Sequence, residues 1–335
     1  MRTRRSSALL APLLLLAAGC SSTGPIPEER LQPLAQLALQ VDGERLMAHV
    51  RELTGIRRTD TPLACTAEHE ERAPARCHLT QSGVRSVLQS QFESLGLQVR
   101  LQHSEHMGLE LINVVAELPG TTQPEEIILV GAHFDAYYQG ADDNASGVAA
   151  LLELARVLSQ YRFARTLRFV GFDMEELGLA GSTHYVSAPG NEHLVAALVF
   201  DSIGYYDSTP GSQRTLPGLP SPSTGDFLAV IGNDTSRHLA TELHELNTRL
   251  GLMKTVTLLG PGDGASPLTG NLMRSDHTPF WLTGGKALFL TDTADFRNPH
   301  YHQETDVPET LSPEPFRQAV RMSAVGLAWW AGGPR

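Results

Sequence analysis

The chain has 335 residues, of which 41% are hydrophobic and 19% are charged, as in ordinary globular proteins. This length permits two domains, although a single large α/β domain also reaches it. The 26 basic and 37 acidic residues give a formal net charge of −11. This acidic excess argues against nucleic acid as a partner, because phosphate contacts need clustered Lys and Arg.

The first nineteen residues have the layout of a secretory signal. Three arginines among the first five residues precede an apolar run over residues 8–18, which is too short to span a bilayer as a mature helix. Segment 16–20, Leu-Ala-Ala-Gly-Cys, resembles a bacterial lipoprotein signal, in which cleavage exposes the cysteine for lipid attachment, although Leu is commoner than Ala at position 17. The alternative is a plain secretory signal cut near Ala18. We therefore expect an exported protein with a net charge of −14 after cleavage, either anchored in the cell envelope or periplasm by a lipid on Cys20 or secreted.

The next segments predict a tether and three helices. Residues 20–27 are rich in Ser, Thr, Gly and Pro, which is typical of a tether. Apolar spacing over 28–53 predicts a helix in two pieces divided at Asp42-Gly43, and a further helix is predicted over 80–95. We accordingly divide the chain into a signal peptide, a tether, an N-terminal helical segment and an α/β domain, over residues 1–19, 20–27, 28–79 and 80–335.

Strands and helices alternate over the rest of the chain. Strands are predicted over 97–101, 111–118, 127–131, 166–172, 194–200, 227–231 and 287–290. Helices are predicted over 145–161, 179–186, 236–250 and 313–330, and a surface loop over 207–225. This alternation predicts an α/β fold with a largely parallel mixed sheet and helices on both faces.

Two cysteines remain if Cys20 carries a lipid. An exported protein meets an oxidising environment, so a disulfide between Cys65 and Cys77 is the favoured interpretation. It would stabilise the fold by about 3 kcal/mol at best. A pair of soft zinc ligands is the weaker alternative, because no second Cys or His pair stands at zinc-finger spacing.

Acidic and histidine side chains follow the predicted strands. They are His133, Asp135, Asp142, Asp143, Glu175, Glu176, Asp201 and His302. Ligand sites in open α/β sheets lie at the carboxyl ends of strands, so we expect these side chains to converge. Any one of them could be a helix cap, a solvated turn, an ion pair or a structural histidine, but packed carboxylates without a cation repel one another. Two His with three carboxylates suit zinc, whereas no His-Glu-x-x-His, Gly-x-Ser-x-Gly or phosphate-loop motif is present.

Four motifs make the resemblance to a known family specific. The chain resembles the co-catalytic di-zinc exopeptidases, which include secreted bacterial leucyl aminopeptidases, plasma glutamate carboxypeptidase and glutaminyl cyclase. The resemblance covers about residues 80 to 330 and implies a single zinc-exopeptidase-type domain. The motifs are GAHFD at 131–135, GADDNASG at 140–147, EELGLAGS at 175–182 and YHQETD at 301–306.

The resemblance implies a ligand set for two zinc ions (Zn²⁺). His133 and Asp201 would hold one ion, Glu176 and His302 the other, and Asp143 would bridge them. The peptide after the bridging Asp is cis in the family, so a cis Asp143-Asn144 bond is expected.

The resemblance also implies the remaining catalytic roles. Asp135 would hydrogen-bond the far nitrogen of His133, Glu175 would be the general base, and Tyr301 would hold the developing oxyanion. Ser275-Asp276-His277 recurs near the pocket in the family, in a role that is either structural or on the substrate side.

These roles predict a zinc-dependent hydrolase acting on peptides. The first expectation is an aminopeptidase that removes N-terminal residues by a metal-bridged hydroxide. A zinc carboxypeptidase or a glutaminyl cyclase on the same fold is the alternative, and a non-catalytic binding relative is a remote one. The lipid anchor is the only membrane contact expected.

Overall fold

The structure is a computed structural model that describes residues 26–63, 77–189, 193–215, 222–266 and 269–334. The predicted signal peptide and Cys20 lie outside the described residues, and so does Cys65. Cys77 is disulfide-bonded, but its pairing with Cys65 stays a prediction. Within the described part of the chain, no helix is both long enough and apolar enough to cross a membrane.

Ten strands and eight α-helices make up most of the described chain. The strands are β1 (Leu79–Thr80), β2 (Gln98–His106), β3 (Leu109–Leu118), β4 (Gln123–His133), β5 (Ala136–Tyr137), β6 (Arg165–Phe172), β7 (Leu194–Phe200), β8 (Leu228–Asn233), β9 (Thr255–Gly260) and β10 (Ala287–Thr291). The helices are α1 (Glu28–Leu39), α2 (Gly43–Arg57), α3 (Ser82–Ser94), α4 (Gly147–Leu158), α5 (Ala180–Ser187), α6 (Arg237–Leu250), α7 (Thr278–Leu282) and α8 (Pro313–Trp330).

Eight of the strands form one mixed sheet in the order β2-β3-β6-β4-β7-β10-β8-β9. The central strands β6, β4, β7 and β10 are parallel to one another. At one side β3 pairs antiparallel with β6 and β2 antiparallel with β3. At the other side β8 pairs antiparallel with β10 and β9 parallel with β8. The largely parallel mixed sheet predicted from the sequence is therefore confirmed. The sequence pattern missed β9, whose residues are mostly half-buried at the sheet edge.

Both faces of the sheet are covered by helices, as predicted. Along β4, Ile128 and Val130 face a large core shared with six helices, α1 to α4, α6 and α8. Leu129 points to the opposite face, where Tyr185 of α5 and Trp281 of α7 complete a smaller core. This alternation follows from the two-residue period of a strand.

The N-terminal helices belong to the larger core. Leu34 of α1 and Val50 of α2 are fully buried there. Asp42 separates the two helices as predicted, because its carboxylate accepts hydrogen bonds from the backbone N–H groups of Glu44 (2.8 Å) and Arg45 (3.3 Å). The C-terminal residue of α2, Arg57, reaches the candidate active site.

Candidate active site

The five predicted metal ligands converge at the carboxyl edge of the central strands. His133 ends β4, and Asp201 follows β7 directly. Glu176 lies four residues beyond the end of β6, and Asp143 lies in a π-type turn before α4. His302 comes from the long loop after β10. The fold therefore brings these five side chains together, as predicted from their positions after the strands.

The ligand atoms form two groups that share Asp143. Nε2 of His133 lies 3.3 Å from Asp143 Oδ1 and 3.7 Å from Asp201 Oδ1. Nε2 of His302 lies 2.9 Å from Asp143 Oδ2 and 3.0 Å from Glu176 Oε1. Within each group the ligand atoms lie within 4.8 Å of one another. One carboxylate oxygen of Asp143 therefore faces each group, as a bridging ligand requires.

The chemistry of these atoms fits a pair of cations. Nε2 of His133, Oδ1 of Asp143, Oε1 of Glu176 and Nε2 of His302 are buried and have no hydrogen-bond partner apart from these mutual contacts. Buried polar atoms are normally satisfied, and metal ions would satisfy all four. The imidazole and carboxylate donors are those that zinc accepts.

The pKa values of His302 and Glu176 also indicate that the buried ligand carboxylates need a compensating positive charge. Although burial opposes it, contact with Asp143 and Glu176 raises the pKa of the His302 imidazole to about 10. Burial, reinforced by the Asp143 charge, raises the pKa of the Glu176 carboxyl to about 8. A bound cation would displace the protons of His302 and Glu176 and supply this positive charge.

A network of backbone hydrogen bonds fixes Asp143. The Asp143-Asn144 peptide is cis, as predicted. The Asp306 carboxylate accepts hydrogen bonds from the backbone N–H groups of Asp142 (2.9 Å) and Asp143 (3.1 Å). The Asn144 side chain accepts one from the N–H of Gly147 (3.0 Å), the first residue of α4. Asp142 is not among the converging ligands.

Asp142 acts as a structural carboxylate instead. Its Oδ1 accepts a hydrogen bond from the Gly204 N–H (2.8 Å), and its Oδ2 accepts one from the Asn298 side chain (2.7 Å). Two loops that flank the site are thereby joined.

Asp135 supports three functional residues from one buried position. Nδ1 of His133 lies 3.1 Å from the Asp135 backbone oxygen and 3.5 Å from its carboxylate. The same carboxylate accepts hydrogen bonds from the N–H groups of Glu175 (3.0 Å) and Glu176 (3.1 Å). Asp135 thus orients both the first ligand and the adjacent glutamates, a wider role than the sequence indicated.

The two adjacent glutamates have different surroundings. Glu176 contacts His302. Glu175 is outside both ligand groups and interacts electrostatically with His133 and Asp201. Burial raises the pKa of the Glu175 carboxyl well above its usual range.

Tyr301 lies against the second ligand group. Its ring stacks on the His302 ring, with centroids 3.9 Å apart, while Tyr137 meets the His302 ring edge-on at 4.6 Å. The Arg274 guanidinium interacts with the Tyr301 side chain and donates a hydrogen bond to Asp295 (2.8 Å).

An apolar cavity adjoins the site. Asp201 and Tyr301 form the side of the cavity nearest the ligands, and the exposed Arg274 also lines it. Its apolar wall consists of Ile231, Leu258, Leu272, Phe289 and Phe296.

Within the Ser275-Asp276-His277 segment, two residues can be assigned different surroundings. His277 is fully buried, stacks on Phe289 and lies with Nε2 2.7 Å from the Leu272 oxygen. Burial lowers the pKa of His277 to about 3, which keeps the imidazole neutral. Asp276 interacts electrostatically with His133, and burial raises its pKa to about 7. His277 is therefore structural, whereas Asp276 is close enough to His133 to interact with its charge.

Two supporting residues were missed from the sequence. Asp306 stood inside the last motif, four residues after His302, and could have been singled out there. Arg57 had no such signal, because it lies outside residues 80 to 330, which the family resemblance covers.

Comparisons with known proteins agree with this geometry. The model of Peptidase family M28 matches residues 113–325. The chain is 32% identical to the uncharacterized protein YfbL of Escherichia coli over 68% of this chain and 74% of YfbL. It is 44% identical to the aminopeptidase YwaD of Bacillus subtilis, over 60% of this chain and only 40% of YwaD. The LapA aminopeptidase structure from Legionella pneumophila shares the fold, with a TM-score of 0.66 and 18% identity over 95% of this chain and 79% of that one.

The predicted resemblance is thereby confirmed. The family match covers more than half of the chain, and it includes all five converging ligands as well as Tyr301. The chain belongs to Peptidase family M28 and is a zinc-dependent hydrolase of that family.

Proposed function

We propose that the protein is an aminopeptidase that binds two zinc ions. The observation that carries this proposal is the pair of ligand groups that share Asp143, each completed by one histidine and one further carboxylate. His133 and Asp201 would hold one ion, and Glu176 and His302 the other. Zinc in such a site supplies Lewis acidity and lowers the pKa of bound water to about 7.

The neighbouring side chains supply the remaining chemistry. Glu175 is buried beside the ligands, and its raised pKa suits a group that takes a proton from water and passes it to the leaving amine. The Tyr301 hydroxyl would donate a hydrogen bond to the oxygen on which negative charge develops. Asp135 keeps Glu175 in place through the backbone N–H bond described above.

The apolar cavity favours N-terminal residues with an apolar side chain. Because Asp201 and Tyr301 border this cavity, a side chain seated there would place its own α-amine near the site carboxylates. A carboxypeptidase would instead need a cation for the substrate's terminal carboxylate. The only cation among the described cavity residues is Arg274, which is already paired with Asp295. The similarity to YwaD, an aminopeptidase, also favours this activity.

Two measurements test the proposed function. Leucine amide should be cleaved and N-acetyl-leucine amide should not, because acetylation removes the free α-amine. Elemental analysis should find two zinc ions per chain, and chelation should abolish activity until zinc is restored. Equal cleavage of both amides would reject the aminopeptidase, and a fully active one-zinc protein would reject the paired site.

We further propose that the protein is an exported lipoprotein. This rests on Gly19-Cys20 after the apolar run at the start of the chain.

A further inference from the structure

Arg57 connects the N-terminal helices to residues 134–143, here called the ligand loop. Its side chain is almost fully buried, with 3% of the residue exposed. Nη2 donates to the backbone oxygen of Phe134 (2.9 Å), and Nη1 donates to those of Gln139 (3.0 Å) and Gly140 (2.7 Å). These three oxygens belong to the loop that begins after His133.

This loop determines where two ligands stand. His133 precedes its first contact with Arg57 by one residue, and Asp143 follows the last contact by three. Gly140 adopts φ +50°, and a Cβ atom at this position would lie 2.2 Å from the Asp143 backbone oxygen. Gly140 is therefore packed between Arg57 and Asp143, so a shift of the Gly140 carbonyl would move the shared ligand.

Arg57 acts on metal binding in two ways that have opposite signs. Its guanidinium carries a positive charge close enough to interact with Asp143, Asp135 and Glu176, and a positive charge by itself repels incoming zinc. Its three hydrogen bonds hold the loop in the geometry that zinc requires, and this favours binding. The direction in which zinc affinity changes when Arg57 is replaced therefore shows which action dominates.

We infer that Arg57 is a positioning residue for the metal site, acting through the carbonyls of Phe134, Gln139 and Gly140. The inference rests on the two-zinc site proposed above. It also gives the N-terminal helical segment a functional role, because α2 brings this guanidinium to the loop. Residues that do not bind the metal themselves but orient its ligands typically contribute about 10- to 100-fold to metal affinity.

The test compares three variants. Arg57→Met removes all three hydrogen bonds and the charge, whereas Arg57→Lys keeps the charge with a single donor group. Arg51→Met is the matched control, since Arg51 is an exposed arginine on the same helix. Zinc affinity is measured by competition with a chromophoric chelator, and thermal melting of the metal-free proteins reports on the fold.

We expect Arg57→Met to weaken zinc binding by about 10- to 100-fold and Arg57→Lys by less, with Arg51→Met unchanged. The metal-free variants should remain folded. Rescue of activity by excess zinc would be a further sign of positioning.

Four results would overturn the inference. Zinc binding by Arg57→Met that equals or exceeds that of the wild type would mean that the hydrogen bonds do not govern affinity. A loss of zinc that only parallels unfolding, or failure of both Arg57 variants to fold, would reduce Arg57 to a structural role. Wild-type protein that binds no zinc would instead refute the proposed function, and the inference with it.

Discussion

The adjacent glutamates offer the sharpest test of the site, because the structure assigns them different neighbours. Glu175→Gln keeps the size and polarity of the side chain but removes its capacity to accept a proton. Neither ligand group includes Glu175, and its backbone N–H still donates to Asp135 after the substitution. We therefore expect the variant to fold and to keep both zinc ions.

The activity of Glu175→Gln should fall steeply. General-base catalysis typically contributes 10²- to 10⁴-fold, so kcat should drop by at least about 10²-fold, or about 2.7 kcal/mol in activation free energy. KM should change little, because substrate is held by zinc and by the cavity. Hydrolysis of leucine amide at saturating zinc measures both constants.

Glu176→Gln should behave differently. Its Oε1 lies 3.0 Å from Nε2 of His302 in the second ligand group, and a neutral amide is a poor substitute for a carboxylate ligand. We expect this variant to lose one zinc ion first during dialysis against a weak chelator, while the first ligand group stays loaded. Elemental analysis of the dialysed proteins distinguishes the two variants.

The opposite pattern would refute these assignments. If Glu175→Gln loses zinc while Glu176→Gln keeps two ions, the roles of the glutamates are reversed. If both variants retain wild-type activity, the active site lies elsewhere on the protein.

Three further predictions concern the loop, the anchor and the disulfide. Gly140→Ala should lower both the melting temperature and the zinc content, because the new methyl would lie 2.2 Å from the backbone oxygen of the proposed bridging ligand; Gly55→Ala, where nothing lies within 4 Å, should do neither. Cys20→Ser should move the protein from the membrane fraction to the soluble fraction on cell fractionation, and a wild-type protein that is already wholly soluble with an unmodified mature end would exclude lipidation. Mass analysis without reductant should find one peptide pair linked through Cys65 and Cys77, and two free thiols in the exported protein would exclude the bond.

The sequence predicted the sheet and the ligands for the same physical reason. Continuous apolar runs such as residues 127–131 indicate strands buried on both faces, and the polar residue that directly follows such a strand must lie at the sheet edge. His133 and Asp201 could therefore be placed from local sequence alone. β9 was missed because most of its residues are only half-buried, so its sequence lacks an equally strong apolar run.

The supporting contacts could not be predicted in this way, because they depend on long-range packing rather than on local sequence. Arg57 lies 77 residues before Phe134 and 83 before Gly140, and its partners are backbone oxygens, which every residue possesses and no motif records. A buried arginine also looks the same in sequence as an exposed one such as Arg51. What separates the two is the fold, which places α2 behind the ligand loop. The candidate metal ligands His133 and Asp201 could thus be predicted from strand ends, whereas the residues that would hold the ligands in position can be identified only once the helices are packed.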